Sequence, residues 1–280
     1  MRSTPLVALA AATMLTTPAF AQDASPEHFD GFYVGGTFGL DAPEDSTTDG
    51  IIFDTNGDGV YGDTVATTTG ADAFSPGFCN GAARGATAAE GCIDDDADYG
   101  YSIRAGYDKR INGGPIVVGL LLEGARSEAT EFSNGFSTTP ASYTTARQMD
   151  WSVAARGRVG VSPGDGRGLL YVTGGVGYAK IDHAFTTTNG ANAFTQQNED
   201  DWQFGGQVGG GAELMLSRNV GIGFEYLYQE FNDDDYSVLV TQGTAPATNP
   251  FLLANGQTSI APSDQNMKLH SFRTTLSFHF

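Results

Sequence analysis

Hydrophobic and polar residues alternate strictly along the last segment of the chain, residues 269–280. One face of this segment carries Phe272, Thr274, Leu276, Phe278 and Phe280, and the other carries Ser271, Arg273, Thr275, Ser277 and His279. A period of two with one apolar face and one polar face predicts a half-buried β-strand. Such segments occur at eight places, near residues 31–40, 98–108, 115–125, 149–161, 168–180, 202–216, 219–231 and 268–280. Their lengths are close to the roughly 9–11 residues that a tilted strand needs to cross a membrane.

The connections between these eight segments alternate in length. Short connections, at 109–114, 162–167 and 217–218, follow the second, fourth and sixth segments. Long connections, at about 41–97, 126–148, 181–201 and 232–267, follow the first, third, fifth and seventh. Short periplasmic turns and long extracellular loops are typical of outer-membrane barrels. The pattern therefore predicts an all-β fold, an eight-stranded antiparallel transmembrane β-barrel. A soluble β-sandwich would also alternate, but it would not produce this rhythm.

Aromatic residues fall near both ends of the predicted strands. In a barrel of this kind, aromatic girdles flank the apolar band that faces the lipid. We expect Tyr99, Trp151, Trp202 and Phe231 at the outer rim, and Phe29, Phe32 and Phe278 at the inner rim.

The start of the chain predicts export. Arg2 is followed by a short apolar run over residues 5–15, and Ala19-Phe20-Ala21 fits the small-x-small cleavage rule. These features predict a secretory signal peptide over residues 1–21, which leaves residues 22–280 as the barrel. No other segment is apolar and long enough to suggest a transmembrane helix, and 40% hydrophobic residues with 38 glycines do not suit a helical membrane protein.

Four short motifs resemble a known family. They are Gly31-Phe-Tyr-Val-Gly-Gly, Leu170-Tyr-Val-Thr-Gly-Gly-Val-Gly-Tyr-Ala179, Gly209-Gly-Gly-Ala-Glu213 and Phe224-Glu-Tyr-Leu-Tyr228. They are similar to strand motifs of the OmpA-like, opacity-type eight-stranded outer-membrane barrels, which are grouped with the porin family. The resemblance covers the strands and not the loops. It implies a Gram-negative outer-membrane protein exposed at the cell surface, among outer-membrane lipid and lipopolysaccharide.

The resemblance also bears on the end of the chain. In such barrels a C-terminal aromatic residue is the recognition signal for the barrel insertion machinery, which implies that role for Phe278 and Phe280. Because this sequence ends with the barrel, we expect the peptidoglycan-binding domain of full-length OmpA proteins to be lacking. Peptidoglycan anchoring is therefore not expected either.

The strand phase predicts a polar barrel interior. The inward positions hold Arg104, Glu123, Arg156, Arg158, Gln203, Gln207, Glu213, Glu225, Gln229 and Arg273. Four arginines and three glutamates can form an ion-pair network, and buried charges need such pairing. The network would either plug the lumen or line a selective path through it. Eight strands leave an interior only just wide enough for side chains, which favours the plug.

The loops carry much of the net charge of −19, a charge that excludes nucleic acid as a partner. Thirteen acidic residues of the first loop are opposed only by Arg84: Asp41, Glu44, Asp45, Asp49, Asp54, Asp58, Asp63, Asp72, Glu90, Asp94, Asp95, Asp96 and Asp98. Solvation and mutual repulsion explain most acidic loops. The alternative is a divalent cation that is shared with lipopolysaccharide phosphates.

One segment of the first loop resembles a calcium-binding sequence. Asp54, Asn56 and Asp58 occupy positions 1, 3 and 5 of an EF-hand-type loop, and Gly59 occupies position 6. The carbonyl of Val60 could serve at position 7, and Asp63 at position 10 could substitute for the glutamate that position 12 lacks. The other interpretation is an ordinary turn, because Asp, Asn and Gly favour turns. No other cofactor is expected.

Two cysteines, Cys79 and Cys92, lie in the same loop of a chain predicted to be exported. Disulfides form and persist in oxidising compartments. The sequence therefore predicts a Cys79–Cys92 disulfide that protects an exposed loop.

Catalysis is not expected. The chain has four histidines, His28, His183, His270 and His279. A serine hydrolase needs a base within hydrogen-bond reach of its nucleophile, and the adjacent His270 and Ser271 point to opposite faces of a strand. The acidic residues are too numerous to single out a catalytic pair.

The sequence therefore favours an outer-membrane barrel with a structural or surface-interaction role that its acidic extracellular loops perform. A small low-conductance porin is the first alternative, and a lipid-modifying barrel enzyme is the second. Recovery as a soluble secreted protein would overturn all three. The sequence names no extracellular ligand.

Overall fold

The computed structural model describes residues 28–44 and 50–280. The predicted signal peptide, residues 1–21, lies outside the described residues. Eight strands form the barrel wall: β1 (Gly31–Pro43), β2 (Asp98–Arg110), β3 (Ile116–Ser127), β4 (Ala141–Val161), β5 (Gly168–Thr187), β6 (Asp200–Met215), β7 (Val220–Asn232) and β8 (Asn266–His279).

Each strand pairs antiparallel with the next one, and β8 pairs with β1 to close the barrel. At the closing seam Val34 lies opposite Phe278, and Leu40 lies opposite Phe272. The predicted fold class, an eight-stranded antiparallel barrel, is confirmed. The largest difference from the sequence prediction is in β4 and β5, which continue well beyond the membrane-sized segments near 149–161 and 168–180.

The wall has an apolar outer face and a polar inner face, as the period of two requires. Outward side chains such as Ile103, Leu120 and Phe224 are among the most exposed large apolar residues of the chain. Inward side chains such as Arg156 and Arg273 are buried. Within the described part of the chain, no helix is long and apolar enough to pass through a membrane.

Glycines at inward positions allow neighbouring strands to approach closely. A Cβ atom on Gly39 would lie 1.9 Å from the carbonyl oxygen of Phe272, and one on Gly175 would lie 2.0 Å from that of Ala155. A side chain cannot fit at either place. Glycine weakens an ordinary strand but suits these positions of a small, strongly curved barrel.

The connections on the inner side are short, and one contains a 3-10 turn at Ile111–Gly113. The long connections on the outer side fold into one unit, here called the cap. One layer of the cap is a four-stranded antiparallel sheet, in the order Ala193–Gln197, Ser237–Thr241, Thr258–Pro262 and Ile51–Asp54.

The second layer of the cap is continuous with the barrel wall. It consists of the outer halves of β4 and β5, the strand Thr130–Ser137 paired with β4, and the strand Gly77–Asn80 paired with Thr130–Ser137. A small two-stranded pair, Ala82–Ala83 with Cys92–Ile93, and 3-10 turns at Ala88–Glu90 and Pro250–Leu252 complete the cap.

The two layers enclose an apolar core of their own. Its buried members are Ile51, Phe53, Val65, Ala73, Phe74, Ala141, Tyr143, Tyr236, Val238, Val240, Phe251 and Ile260. Phe53 and Phe74 lie in contact, with ring centroids 4.4 Å apart. Burial of these side chains is the main force that orders the cap, because hydrophobic stabilisation scales with the apolar area removed from water. The outer connections are therefore not merely solvated acidic loops.

Three residues lie elsewhere than the sequence analysis placed them. Asp41, assigned to the first loop, is buried within β1, because β1 continues to Pro43. Phe231 and Phe29, assigned to the aromatic girdles, are buried. Phe231 has the inward phase of β7, and a shift of one residue exchanges the two faces of a strand.

Candidate functional site

A network of ion pairs fills the centre of the barrel. Arg156 Nη2 lies 2.8 Å from Glu123 Oε2, and Arg156 Nη1 lies 3.1 Å from Glu225 Oε1. Glu225 also accepts a hydrogen bond from Arg104 Nη1 at 3.2 Å, and Glu123 accepts one from Arg273 Nη1 at 3.3 Å. These five side chains are buried. Each charge faces an opposite charge from another strand, so the network ties the walls of the barrel together.

A second group of charges lies nearer the inner end. Arg158 Nε donates to Asp108 Oδ1 at 2.7 Å, and Arg158 Nη1 lies 3.3 Å from Glu213 Oε2. The Arg158 guanidinium also lies over the Tyr33 ring, 4.5 Å from its centroid. His279 Nε2 lies 2.9 Å from Glu213 Oε1.

The structure places all the predicted inward residues inside the barrel, where they are buried. It adds two acids that the sequence prediction missed, Asp41 and Asp108. Arg273 Nη2 lies 3.3 Å from Asp41 Oδ1. The four arginines therefore face five carboxylates and not three. The alternation that puts Arg104 inside also puts Asp108 inside, so the sequence contained the signal for that residue.

An apolar layer of buried side chains lies at the outer end of the lumen, above these charges. It is formed by Ala129, Met149, Ala179, Ile181, Phe231, Met267 and Leu269. A polar contact lies between this layer and the ion pairs, where Gln207 Nε2 donates to Gln229 Oε1 at 2.8 Å and Gln229 Nε2 donates to Ser271 Oγ at 2.9 Å. Inward side chains are thus buried from the rim to the centre of the barrel.

A second apolar layer of buried side chains lies at the inner end of the lumen. It is formed by Phe29, Val117, Leu169, Tyr171 and Met215. Beside it, the buried Arg110 side chain donates to backbone carbonyls of His28, at 2.6 Å, and of Gly114, at 3.1 Å. The bond to His28 holds residues 28–30 at the inner mouth of the barrel.

A buried polar cluster joins the cap to the barrel mouth. Arg147 Nη2 donates to Glu131 Oε1 at 2.6 Å, and Arg147 Nη1 donates to Asp233 Oδ2 at 3.1 Å. The same oxygen, Asp233 Oδ2, also lies 3.0 Å from His183 Nε2. The His183 ring stacks on Tyr236, with centroids 4.1 Å apart.

Glu131 has an unusual protonation equilibrium in this cluster. Burial raises the pKa of Glu131 to about 7, and the nearby carboxylates of Asp95 and Asp264 add to the rise. Arg147 opposes the shift, but its guanidinium is shared with Asp233. The cluster can therefore gain or lose one proton near neutral pH.

The calcium-like segment folds as a series of turns. Asp54 accepts hydrogen bonds from the amides of Gly57 at 2.7 Å and Gly59 at 2.9 Å, so both of its carboxylate oxygens face the backbone. Asn56 Oδ1 accepts from the amide of Asp58 at 2.8 Å. Asp58 Oδ1 accepts from the amide of Val60, also at 2.8 Å.

The last residue of that segment, Asp63, accepts hydrogen bonds from the amide and the hydroxyl of Thr55, at 3.0 and 2.9 Å. These two bonds hold the pKa of Asp63 below its usual value. Among the residues that the structure describes, no group of three or more His, Cys, Asp or Glu side chains is placed to hold a metal ion. Calcium binding by this segment stays a prediction.

The Cys79–Cys92 disulfide is present, with the two Cα atoms 6.6 Å apart. Cys79 belongs to the strand that pairs with Thr130–Ser137, and Asn134 Nδ2 lies 3.5 Å from Cys79 Sγ. The bond therefore anchors the small Ala82–Ala83 and Cys92–Ile93 pair to the cap.

One pair of residues resembles a nucleophile and its base. Ser277 and His279 share the inward face of β8, and Ser277 Oγ lies 3.1 Å from His279 Nε2. The sequence prediction considered His270 with Ser271 and did not include this pair, which is two residues apart on one strand. Glu213 Oε1 contacts both Ser277 Oγ and the same His279 nitrogen. A catalytic carboxylate instead orients the other nitrogen of the ring, so the contacts are those of an ion-pair network.

The chain ends on the lipid-facing side of the wall. Phe278 and Phe280 are 44% and 72% exposed, and their rings meet edge to face with centroids 5.1 Å apart. The amide of Phe280 donates to the carbonyl of Phe32 at 3.0 Å. The two aromatic side chains thus present one continuous outward surface beside the β8–β1 seam.

The closed barrel, its apolar outer face and its buried polar interior define an integral outer-membrane β-barrel protein. Residues 7–280 match the family described as outer membrane protein beta-barrel domain, and the chain belongs to that family. The protein is located in the outer membrane, as the sequence predicted.

The chain is also similar to the 31 kDa outer-membrane immunogenic protein of Brucella melitensis biotype 1 and of Brucella suis biovar 1. Each match is 30% identical over 129 residues, which is 46% of this chain and 52% of the relative. The chain spans about half the length of the curated relatives it matches.

Two solved structures resemble the fold. The outer membrane protein OprG of Pseudomonas aeruginosa has a TM-score of 0.47 at 14% identity, covering 91% of this chain and 100% of that one. Neisserial surface protein A has a TM-score of 0.32 at 12% identity, covering 90% of this chain and 98% of that one.

Proposed function

We propose that this protein acts at the cell surface through its cap, and that the barrel is a closed anchor in the outer membrane. The observation that supports this proposal is the filling of the lumen. Two apolar layers lie above and below the ion pairs of the four inward arginines. An eight-stranded barrel has little interior volume to begin with, so these side chains leave the outer face of the cap as the surface available to partners.

The chemistry of the cap surface supports an interaction role. Its exposed acids include Asp58, Asp72, Asp94, Asp96, Asp200, Asp234 and Asp235. Such a surface attracts cationic groups and repels anionic ones over about one Debye length, ~8 Å at physiological salt. It can approach lipopolysaccharide phosphates when divalent cations bridge the two. A cationic partner, or a bridged lipopolysaccharide, is therefore the chemistry that suits the acidic face.

Conductance measurements test the closed anchor. The refolded mature chain, residues 22–280, would be inserted into planar bilayers, and a heat-shifted gel band would confirm folding in the same sample. We expect no steady single-channel steps. Steady cation-preferring steps from folded protein would contradict the proposal and favour a low-conductance porin.

One observation favours the porin alternative. The Nε atoms of Arg104, Arg156 and Arg273 are buried and face no hydrogen-bond acceptor of the protein. Buried polar groups of this kind are ordinarily satisfied by water, so the centre of the lumen is polar enough to be wet. In a porin of this design the apolar layers would be the gates.

A variant of the outer layer distinguishes a plug from a gate. Phe231→Ala removes the largest side chain of that layer, and Phe224→Ala, on the lipid face of the same strand, is the matched control. If the ion pairs themselves plug the lumen, both variants stay closed. Steps that appear only with Phe231→Ala would show that the layer is a gate over a conducting centre.

Whole cells test the surface role. Cells would carry either the intact chain or a variant in which a short turn replaces residues 242–257, which contain part of the cap core. We expect the cap variant to reduce adhesion to other cells while outer-membrane permeability to large antibiotics is unchanged. Increased permeability with equal adhesion would contradict a surface role and indicate a purely structural one.

The exposed C-terminal aromatics fit an assembly signal. The proposal gives Phe278 and Phe280 the role of contacting the insertion machinery before the β8–β1 seam closes. Their outward direction supports it, because a partner outside the wall can reach both rings without opening the barrel.

A further inference from the structure

The fourth outer connection, residues 233–265, is held to the barrel mouth at both of its ends. It joins β7 to β8 and supplies two of the four strands of the cap sheet. At its far end, Arg147 donates to two backbone carbonyls, at 3.0 and 2.9 Å. At its start, Asp233 Oδ2 accepts from Arg147 Nη1 at 3.1 Å and lies 3.0 Å from His183 Nε2. Arg147 therefore contacts both ends, whereas His183 contacts the start.

Asp233 lies against a row of side chains that crosses three neighbouring strands. Glu131 lies opposite Arg147, and Arg147 lies opposite His183. Directly opposite residues of antiparallel strands share one face and lie close together. Asp233 is buried, and within the described part of the chain its second oxygen, Oδ1, has no hydrogen-bond partner. The Asp233 carboxylate therefore depends on Arg147 and His183 for its stabilisation.

Both ring nitrogens of His183 face oxygen atoms. Nε2 faces the Asp233 carboxylate, and Nδ1 lies 3.3 Å from the carbonyl oxygen of Glu199. A neutral imidazole has one N–H group and one acceptor nitrogen, whereas the charged ring has two N–H groups. Only the charged ring can donate to both oxygens and form an ion pair with Asp233. The His183 side chain is 1% exposed, so solvent does not replace a lost contact.

The surrounding charges favour the charged ring. The other titratable groups of this region are Arg147, Glu131, Asp95, Glu199, Asp264, Lys268 and Tyr236. Arg147 opposes a positive charge on His183, but Asp233 lies in contact with both. The carboxylates of the region outnumber its other cations. Tyr236 stacks on the His183 ring and stays neutral, because burial raises the pKa of its phenol.

We infer that His183 and Asp233 form a proton-operated latch, which holds the start of the fourth outer connection against the barrel mouth while the His183 ring is charged. Loss of the ring proton removes the ion pair and one of the two hydrogen bonds, so the connection loosens from Asp233 onward. Histidine ordinarily changes its charge between pH 5 and 8. The latch is therefore closed below this range and open above it.

Opening of the latch changes the surface of the cap. Asp234 and Asp235 follow Asp233 and are already exposed. Once released, Asp233 joins them as a third exposed carboxylate, and Tyr236 loses the ring on which it stacks. The latch thus couples pH to the negative charge that the cap presents. The inference goes beyond the proposed function, because it concerns how the cap is held and not what the cap binds.

Hydrogen exchange with mass spectrometry on refolded residues 22–280 tests the latch at pH 5.5 and pH 8. The peptide of interest covers residues 233–241, and its rates are corrected for the intrinsic dependence of exchange on pH. We expect the protection of this peptide to fall about tenfold between the two pH values, the size of one charge-assisted hydrogen bond. A peptide of β8, residues 269–276, should keep its protection, because the barrel stays closed.

Two variants remove the latch, and a third is the matched control. His183→Gln keeps one neutral donor but cannot titrate. We expect its residues 233–241 to show, at both pH values, the weak protection that the parent shows at pH 8. Asp233→Asn should give the same result. His270→Gln is the control, because His270 contacts Tyr226 on the outward face of the wall, and its exchange should match the parent. A heat-shifted gel band confirms the barrel in every variant.

Glu131→Gln separates the latch from the neighbouring Glu131–Arg147 contact. Burial raises the pKa of Glu131 to about 7, so Glu131 also titrates near neutral pH. His183 is intact in this variant, and residues 233–241 should therefore keep their response to pH. A response that disappears with Glu131→Gln and persists with His183→Gln would assign the switch to Glu131 and overturn the inference.

NMR with isotope-labelled histidine measures ring protonation independently, and His183→Gln identifies the signals of His183. We expect both ring nitrogens to carry protons at pH 5.5 and only one at pH 8. The inference is overturned if the ring is neutral at pH 5.5, or if residues 233–241 of the parent are equally protected at both pH values. The same holds if His270→Gln acts like His183→Gln. Channel currents would contradict the closed anchor of the proposed function and leave these outcomes unchanged.

Discussion

Arg147 and Glu131 are joined by a contact of 2.6 Å between Nη2 and Oε1, at the place where the cap meets the barrel mouth. Glu131 belongs to the strand Thr130–Ser137, and Arg147 belongs to the outer half of β4. Arg147 also holds the backbone carbonyls of Asp264 and Asn266, at 3.0 and 2.9 Å. The Arg147 guanidinium therefore joins the second outer connection to the fourth. A change in the charge of its partners affects both connections.

This cluster predicts that the cap loses stability as the pH rises from ~4.3 to ~7, the interval between the unfolded and folded pKa values of Glu131. The pKa of Glu131 is about 7 in the folded chain and ~4.3 in an unfolded one. Between these values the folded state keeps a proton that the unfolded state has lost, so raising the pH disfavours folding, by up to roughly 4 kcal/mol. The stabilising contribution is complete below pH ~4.3 and is lost by pH ~7.

Hydrogen exchange of the strand Thr130–Ser137, corrected for intrinsic rates, measures this effect between pH 5 and pH 8. We expect Glu131→Gln to flatten the pH profile. Glu90→Gln is the control, because hydrogen bonds from Thr87 lower the pKa of Glu90 and move its titration below this range. A profile that Glu131→Gln leaves unchanged would show that another group of the cluster controls the cap.

The central ion pairs predict a large loss of stability when one partner is removed. Arg156→Met leaves Glu123 and Glu225 with one cation each, and both carboxylates are buried. Breaking a buried pair in this way costs about 3–5 kcal/mol. Urea unfolding in lipid vesicles, followed by tryptophan fluorescence, measures the change.

Arg126→Met is the control for that experiment. Arg126 pairs with Glu128 at 2.9 Å on the exposed outer rim, and water screens such pairs strongly. We expect a much smaller shift of the unfolding midpoint. Equal shifts for the two variants would contradict a stabilising role of the network.

The disulfide predicts a local effect. Replacing both cysteines, Cys79→Ser with Cys92→Ser, frees a segment closed by a sequence separation of 13 residues. In the chain-entropy model this costs the cap about 3 kcal/mol. We expect faster proteolysis of the first outer connection, with an unchanged heat-shifted band of the barrel. Reduction of the parent protein should reproduce the result, and loss of the band shift would contradict a role confined to the cap.

The terminal aromatic predicts an assembly defect. Phe280→Ser should lower the outer-membrane level of the protein several-fold, and Phe272→Ser, on the same outward face of β8, should not. Quantitative blotting of membrane fractions measures both levels. Equal outer-membrane levels of the two variants would contradict an assembly role for Phe280.

Calcium binding by the first outer connection is tested by titration calorimetry of residues 22–280. If the segment binds calcium, the dissociation constant should be about 10⁻⁴–10⁻³ M, as in extracellular modules, and Asp58→Ala should abolish the heat. Asp58 suits this test because its side chain is exposed and holds one backbone amide, that of Val60. The absence of heat in the parent protein would end the calcium hypothesis.

The barrel wall could be predicted because its information is local. Each strand faces lipid on one side and packed side chains on the other, so the period of two appears in any short stretch. The phase of β8 placed Arg273 inside and Phe272 outside without knowledge of any partner strand. Errors arose where the strand ends were set too short, which misassigned Asp41, and where the phase was misjudged, which misassigned Phe231.

The cap could not be predicted, because its strands are short and their partners are distant in sequence. Ile51–Asp54 pairs with Thr258–Pro262, and four or five residues contain too few alternations to mark a strand. The first outer connection therefore looked like an acidic loop. Its buried residues, such as Phe53 and Phe74, gain their partners only when the fourth connection folds over them.

The sequence by itself determined the number of membrane strands, the face of the wall on which most strand residues lie, the long and short connections and the acidic character of the outer surface. All of these follow from the order of residues within one segment. The tertiary structure alone decided which charges meet, since Asp41 and Arg273 are 232 residues apart. It also decided that the outer connections share one core. Such contacts depend on barrel closure and strand register, which bring distant segments together. No local sequence pattern predicts either of them.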